Sequence, residues 1–248
     1  MVSVPEVFLA SGLAAMMYGM PPEMPSRRPL VGRADELARI SELVGLVPRT
    51  VGGGSDTALP APAGAVLVGG DAGVGKTRLL AELRDQATEA GWRVIVGHCL
   101  DFGDSALPYL PFSEVFGRLA IEAPGLATSL LDTAPAISRL MPQRRMMSGA
   151  GEDTDPADQT DLERIDRSEL FEAVQAALER VAQSAPLLII IEDAHWADQS
   201  TRELLSFLFA RQFSEPVAIV TSYRSDDLHR RHPLRTTLAE WSRLPGVT

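Results

Sequence analysis

Three things are scarce in this sequence: cysteine, lysine and positive charge. Cys99 is the only cysteine, so no disulfide can form within the chain. That usage is typical of a reducing compartment, and we expect a cytoplasmic location. The formal net charge of −10 predicts an acidic surface that repels the phosphate backbone of nucleic acid, so we expect no direct nucleic-acid contact by this segment. The apolar stretch 7–20 is shorter than the roughly 20 residues that span a bilayer, so we expect no membrane contact.

The scarcity of lysine is informative at one position. Lys76 is the only lysine among 23 strongly basic residues, and arginine supplies all the others. A genome rich in G and C explains a general preference for arginine codons. A lysine kept against that background indicates a position that needs a compact point charge rather than the wide planar fork of arginine.

Short apolar runs alternate with amphipathic helical patterns along most of the chain. Residues 65–69, 92–97, 187–191 and 217–221 are such runs, and each is typical of a buried strand. Strands that alternate with helices predict an α/β fold. We therefore expect three layers, with a mostly parallel sheet covered by helices on both faces.

Composition also divides the chain into segments. Residues 1–29 end in a proline-rich stretch and are predicted to be a tail and linker. Residues 30–248 are predicted to form one domain. Within it, the polar and acidic stretch 149–161 is predicted to be a flexible insertion.

Residues 70–77 read Gly-Asp-Ala-Gly-Val-Gly-Lys-Thr and match the phosphate-binding pattern Gly-x-x-x-x-Gly-Lys-Thr. In such a loop the backbone N–H groups surround a phosphate, and the next helix directs its positive end at the same group. We expect Lys76 to bridge the β- and γ-phosphates and the Thr77 hydroxyl to bind Mg²⁺. The alternative, a chance glycine-rich turn, does not account for the strand before the loop and the helix after it.

An acidic pair, Glu192 and Asp193, follows the aliphatic strand 187–191. Carboxylates at the carboxyl end of a parallel strand lie beside a phosphate-binding loop, so the pair is interpreted as a Walker B element. We expect Glu192 on the metal side, and both residues are candidate metal ligands. Asp193 is expected to orient the attacking water. The short aspartate side chain reaches less far, which favours slow hydrolysis. The alternative is an acidic strand end that simply faces solvent.

Arg224 ends the apolar run that begins at residue 217. If this strand lies beside the strand of the phosphate loop, Arg224 is a candidate sensor of the γ-phosphate, with Thr221 or Ser222 as weaker candidates. The alternative is an arginine that pairs with Asp226 or Asp227 at the strand end.

These motifs occur in a recognisable order: Val-Gly-Arg at 31–33, the loop at 70–77, Ile-Glu-Asp-Ala-His-Trp-Ala-Asp at 191–198, and Thr-Ser-Tyr-Arg at 221–224. The chain resembles the AAA-type, origin-recognition-like ATPase module of the STAND class of signalling NTPases. It most resembles the module of large ATP-binding LuxR-type bacterial transcriptional regulators. The resemblance covers residues 30–248.

The resemblance implies a sheet of order 5-1-4-3-2, of which the fifth strand and the helical lid that follows it are missing here. It also implies that His195 and Trp196 pack the loop after the third strand, and Asp198 is expected to cap the next helix. ATP is favoured over GTP, since a guanine-reading Asn-Lys-x-Asp element needs a second lysine. The residues predicted to hold ATP or ADP are Val31, Gly32, Arg33, Gly70, Asp71, Ala72, Gly73, Val74, Gly75, Lys76, Thr77 and Arg78.

The resemblance makes a slow, Mg²⁺-dependent ATPase switch the expected function, with Lys76, Glu192, Asp193 and Arg224 as the catalytic residues. The switch would serve a transcriptional regulator whose DNA-binding part lies elsewhere, and self-association on ATP binding is a further expectation. Three alternatives remain open: an ATP-binding scaffold without turnover, a fast AAA-type loader or motor, and a small-molecule phosphotransferase. The long interval between the phosphate loop and the acidic pair disfavours the last of these.

Overall fold

A computed structural model describes residues 32–47, 64–101, 103, 107–141, 156–230 and 232–248, with side chains left out at 156–166. Val31 and the predicted tail 1–29 lie outside these residues. The strands are β1 (Ala65–Gly70), β2 (Arg93–His98), β3 (Leu187–Glu192) and β4 (Val217–Arg224). The α-helices are α1 (Ala34–Leu43), α2 (Lys76–Glu89), α3 (Leu110–Glu122), α4 (Pro124–Thr133), α5 (Pro156–Ala182), α6 (Gln199–Ala210) and α7 (Pro233–Trp241). Two 3₁₀ helices cover Pro135–Leu140 and Ala194–Trp196.

The strands form one parallel sheet in the order β1-β4-β3-β2, which confirms the predicted α/β fold. On the outer edge of β1, Val247 forms a single parallel bridge with Ala65. The Leu67 N–H donates to the carbonyl oxygen of Thr248 at 2.8 Å. The bridge occupies the position of the fifth strand in the order 5-1-4-3-2. The described residues form the other four strands of that order, and the bridge is an isolated pairing outside them.

The core is divided between the two faces of the sheet. Successive residues of a strand point to opposite faces, so Leu187, Ile189 and Ile191 join one cluster while Leu188 and Ile190 join the other. The first cluster includes buried residues of α3 to α7, and the second includes those of α1 and α2. All five of these β3 side chains are buried. The continuous aliphatic pattern of β3 therefore reflects a strand covered on both sides.

Two local predictions can be compared with the structure: the cap of α6 and the flexible stretch 149–161. The Thr201 N–H donates to Asp198 Oδ1 at 3.1 Å, so the predicted N-terminal cap of α6 is confirmed. Helix α5 begins at Pro156, so the stretch 149–161 that we predicted to be flexible is helical from that residue onward. Proline fits the first turn of a helix, where no intrahelical N–H partner is needed. Residues 149–155 lie outside the described part of the chain.

Gly97, near the end of β2, supplies a stability prediction. A Cβ atom there would lie 2.4 Å from the carbonyl oxygen of Pro111 in α3, so Gly97→Ala must push the helix from the sheet. We expect the free energy of unfolding to fall by about 1–3 kcal/mol in a urea titration. The matched control is Gly125→Ala in α4, where an added Cβ meets nothing within 4 Å. Equal effects of the two substitutions would contradict this account of the β2–α3 contact.

Of the helices in the described ranges, none has the length and apolar character needed to cross a membrane.

Candidate nucleotide-binding site

The loop at 70–77 leaves β1 and enters α2, as the sequence predicts. Gly73 and Gly75 adopt φ angles of +73° and +95°, which L side chains rarely reach. Gly75 directly precedes the first residue of α2. Glycine at these positions therefore permits the tight path that brings the loop onto the N-terminus of the helix. The candidates Gly70, Asp71, Ala72, Gly73, Val74, Gly75, Lys76, Thr77 and Arg78 form this loop and the first turn of α2.

The lysine side chain lies along the loop itself. Lys76 Nζ donates hydrogen bonds to the carbonyl oxygens of Gly70 at 2.6 Å and Asp71 at 2.9 Å. The ammonium group is therefore held against the backbone of the phosphate loop. A phosphate seated in the loop would lie beside this charge.

Arg33 lies against the tip of the loop. Its Nη2 donates to the carbonyl oxygen of Val74 at 2.9 Å, and Nη1 pairs with Glu36 at 3.5 Å. Gly32, just before it, has a φ of +75°. The structure therefore brings the start of the domain to the phosphate loop, although the two are 41 residues apart in sequence.

The two carboxylates of the acidic pair lie in different surroundings. Glu192 ends β3. Burial raises the pKa of Glu192, while hydrogen bonding to the nearby Thr77 side chain acts in the opposite direction. Asp193 follows in the left-handed region, with a φ of 56°, and its N–H donates to Ser222 Oγ at 3.2 Å. The turn at Asp193 separates its carboxylate from the Thr77–Glu192 pair.

Arg224 ends β4 directly beside Gly70, its partner in the parallel register. Its Nε lies 3.8 Å from Asp193 Oδ1, and its Nη1 lies 3.8 Å from Asp227 Oδ2. The guanidinium group is therefore flanked by two carboxylates next to the phosphate loop. The sequence offered an ion pair with Asp226 or Asp227 as the alternative to a phosphate sensor. The pair with Asp227 is present, and the sensor role stays a prediction.

The comparison with protein families decides the assignment. A family model described as an AAA ATPase domain matches residues 29–220, which is most of the chain. The chain belongs to the AAA ATPase domain family. Membership implies ATP binding and hydrolysis, usually with Mg²⁺.

Two further comparisons describe relatives of this AAA ATPase domain. An uncharacterized protein of Rhizobium meliloti (strain 1021) is 27% identical over an alignment of 223 residues, and the match covers 85% of this chain and 20% of that protein. The chain thus spans about a fifth of that relative's length. A chain from the structure of an E. coli MS115-1 HORMA:CdnC:Trip13 complex is 13% identical, with a TM-score of 0.42 over 98% of this chain and 66% of its own. A likeness of that degree carries no argument.

Thr77 and Glu192 fit a magnesium ion in this AAA ATPase domain. A hydroxyl and a carboxylate oxygen are donors that Mg²⁺ prefers when phosphates supply further ligands, and the Thr77 side chain lies near enough to Glu192 to oppose the rise in its pKa. Asp193 was also a candidate ligand, but its carboxylate lies beside Arg224 and His195 instead. Across the ranges that the structure covers, no group of three or more His, Cys, Asp and Glu side chains could hold a metal by itself.

One contact at the phosphate loop has no signal in the sequence. Both oxygens of Asp226 lie 3.1 Å from the Ala72 nitrogen and accept its N–H. The Ser225 hydroxyl donates to Asp71 Oδ1 at 2.9 Å, and the Ser225 N–H donates to the Gly70 carbonyl at 3.2 Å. The hydrogen bond from Ala72 lowers the pKa of Asp226, so its carboxylate stays charged. The loop after β4 is therefore docked on the phosphate loop of the AAA ATPase domain.

The two rings of the His-Trp pair after β3 differ in exposure. His195 is buried, with its side chain fully shielded from solvent, and burial lowers its pKa. Trp196 is 41% exposed, and its ring packs against that of His195 with a centroid distance of 5.0 Å. The predicted packing of this loop is therefore found for both rings, with Trp196 at its solvent edge. The outer part of Trp196 lines a surface groove with Leu100 and Leu107.

Proposed function

We propose that this chain binds MgATP in the loop 70–77, hydrolyses it slowly, and uses the bound state as a signalling switch. The observation that carries the proposal is the place of Arg224, which pairs with Gly70 of the phosphate loop in the sheet register and lies 3.8 Å from Asp193 of the acidic pair. It brings together the phosphate loop and the end of β3, two segments that ATP hydrolysis needs side by side. Their separation in sequence makes a chance contact a poor explanation.

Each polar side chain then has a role. Thr77 and Glu192 hold Mg²⁺, which supplies charge neutralisation for the β- and γ-phosphate oxygens. Lys76 exchanges its carbonyl partners for the same phosphates. Asp193 accepts a hydrogen bond from the attacking water, and Arg224 binds the γ-phosphate. Gly32 and Arg33 are proposed to lie near the adenine, as is Val31, which is outside the described residues.

The pairing of Asp193 with Arg224 supports slow turnover. A carboxylate that accepts a proton from water works best when its charge is not already shared with a cation. Arg224 lies 3.8 Å from Asp193, so the general base is partly neutralised until the arginine moves to the phosphate. The short reach of aspartate adds to this effect.

The docked loop after β4 supports the switch. Asp226 places a negative charge on an N–H of the phosphate loop, and phosphates arriving there repel it. The same phosphates attract Arg224, two residues earlier. The chain continues from this loop into α7, so a change at Ser225 and Asp226 is passed to that helix.

The contact between the Asp226 carboxylate and the Ala72 N–H is tested by removing the charge of Asp226. Asp226→Asn is expected to tighten ATP binding by about three- to tenfold, because a repulsive charge near the phosphates is lost. The control is Asp132→Asn, which makes the same charge change on the exposed surface of α4. Calorimetry at fixed ionic strength measures both. Equal affinity of the two variants would show that Asp226 does not oppose the nucleotide.

Slow turnover distinguishes the proposed function from its alternatives. The purified chain is incubated with MgATP at a chain concentration above that of ATP, and ADP is followed by chromatography. We expect conversion over hours, without stimulation by DNA. Bound ATP that stays intact would indicate a scaffold. Rapid turnover that depends on DNA or on ring assembly would indicate a loader or motor.

We further propose that the switch acts on an output domain in a longer regulatory protein of the LuxR type. The resemblance of the ordered motifs supports this, as does the match to only a fifth of the Rhizobium meliloti relative. DNA contact would belong to that output domain. We propose that the output domain responds to the ATP-bound state through self-association of ATP-bound chains.

A further inference from the structure

Four side chains form a closed ring beside the phosphate loop: Asp193, His195, Asp227 and Arg224. His195 Nδ1 lies 3.8 Å from Asp193 Oδ1, and His195 Nε2 lies 3.4 Å from Asp227 Oδ2. Arg224 faces the same two oxygens from the other side, with 3.8 Å to each. Each carboxylate oxygen is thus shared between the histidine and the arginine.

The histidine is the buried member of this ring. The other three side chains are 36–40% exposed, whereas the His195 side chain has no exposed area. Neither of its ring nitrogens has a hydrogen-bond partner among the residues that the structure describes. A buried polar group without a partner costs stability, and an apolar ring would fill the same space without that cost. The position therefore indicates a role other than packing.

The geometry favours one of the two carboxylates as the partner. Burial keeps the ring neutral, so only one nitrogen carries a hydrogen. Nε2 is the nearer nitrogen, and at 3.4 Å from Asp227 Oδ2 it needs only a small change of orientation to donate a hydrogen bond. Asp227 lies in the loop that is docked on the phosphate loop through Ser225 and Asp226. A bond to Asp227 therefore acts on the element that carries Arg224.

We propose that His195 is a positioning residue for Arg224: its Nε2–H holds the Asp227 carboxylate, which in turn holds the guanidinium group in reach of the γ-phosphate. The inference rests on the proposed function, since it assigns Arg224 to that phosphate. His195 touches no nucleotide and acts through Asp227. Discrimination between ATP and ADP, rather than affinity for nucleotide in general, is the property that it controls.

The test measures the dissociation constant of ADP divided by that of ATP. Both are determined by calorimetry in the presence of Mg²⁺, before a significant fraction of the bound ATP is hydrolysed. His195→Leu is expected to lower that ratio about tenfold, as Arg224→Ala does, because a charged hydrogen bond to the γ-phosphate is lost. The double variant is expected to lower it no further. Thermal unfolding of each variant reports any purely structural effect of the substitution.

Two amide variants identify the nitrogen that matters. The glutamine amide reaches about as far as Nε2, so His195→Gln is expected to keep the ratio within about threefold of wild type. The asparagine amide reaches only as far as Nδ1, so His195→Asn is expected to behave like His195→Leu. This pair also decides the question if the leucine variant does not fold.

The outcomes separate the inference from the function on which it rests. A folded wild-type chain that binds neither nucleotide overturns the proposed function. If the wild type binds both and Arg224→Ala changes the ratio while His195→Leu does not, the inference alone is overturned. Rescue by asparagine instead of glutamine, or an unchanged ratio in Arg224→Ala, also overturns it.

Discussion

Replacing Lys76 by alanine is expected to weaken MgATP binding by about a hundredfold or more, because charge-assisted hydrogen bonds to two phosphates are lost together. In the structure the ammonium group is held by two loop carbonyls within 2.9 Å, so it lies where the loop would present it to a phosphate. No other lysine in the chain can replace it. Calorimetric titration of the two proteins with MgATP measures the loss.

The matched control for this prediction is Lys76→Arg. It keeps the positive charge but replaces a compact ammonium group with a planar fork, which the narrow space between the carbonyls of Gly70 and Asp71 does not suit. We expect it to recover little of the affinity. Thermal unfolding must first show that both variants fold. An alanine variant that binds MgATP as tightly as wild type would contradict the proposal that the loop 70–77 binds the phosphates.

The second large effect is expected when the carboxylates of the acidic pair are replaced one at a time, because the two substitutions should impair different steps. Asp193→Asn is expected to bind MgATP normally and to lower single-turnover hydrolysis by about a hundredfold, the usual loss when a general base is removed. Glu192→Gln is expected to lose the Mg²⁺ dependence of ATP binding. Glutamine has the shape of glutamate and an amide oxygen that still accepts hydrogen bonds, so the local fold is expected to be kept.

Two measurements on each variant distinguish these roles: ATP affinity with Mg²⁺ or with excess EDTA, and the rate of ADP formation from bound ATP. The turn at Asp193 and the nearness of Thr77 to Glu192 both support the assignment of metal to the first carboxylate and water to the second. The reverse pattern, with loss of Mg²⁺ dependence in Asp193→Asn, would contradict it.

The sequence predicts the fold well because its signals are local. The run Leu-Leu-Ile-Ile-Ile before Glu192 identifies a strand buried on both faces, and the structure confirms it at the centre of the sheet. The phosphate loop is equally local, since its glycines, its strand and its helix follow one another. The sheet order was a family expectation, and the hydrogen-bonded register confirms four of its strands.

Contacts between distant segments were not predictable in this way. Asp226 and Ala72 are separated by 154 residues, and nothing in either local pattern indicates that a carboxylate lies on the phosphate loop. The pattern His195-Trp196 likewise gives two adjacent rings without saying which one faces inward. That depends on the 3₁₀ turn after Asp193, which follows from a backbone angle rather than from residue type. Helix α5 starts inside an acidic stretch whose composition alone favours an irregular segment.

The most direct test of the central claim is a calorimetric titration of the purified wild-type chain with MgATP, on protein shown to be folded by its thermal transition. We predict saturable binding of one nucleotide per chain and loss of that binding when MgGTP replaces MgATP. A folded chain that takes up no MgATP would contradict the account of the loop 70–77 as a nucleotide site.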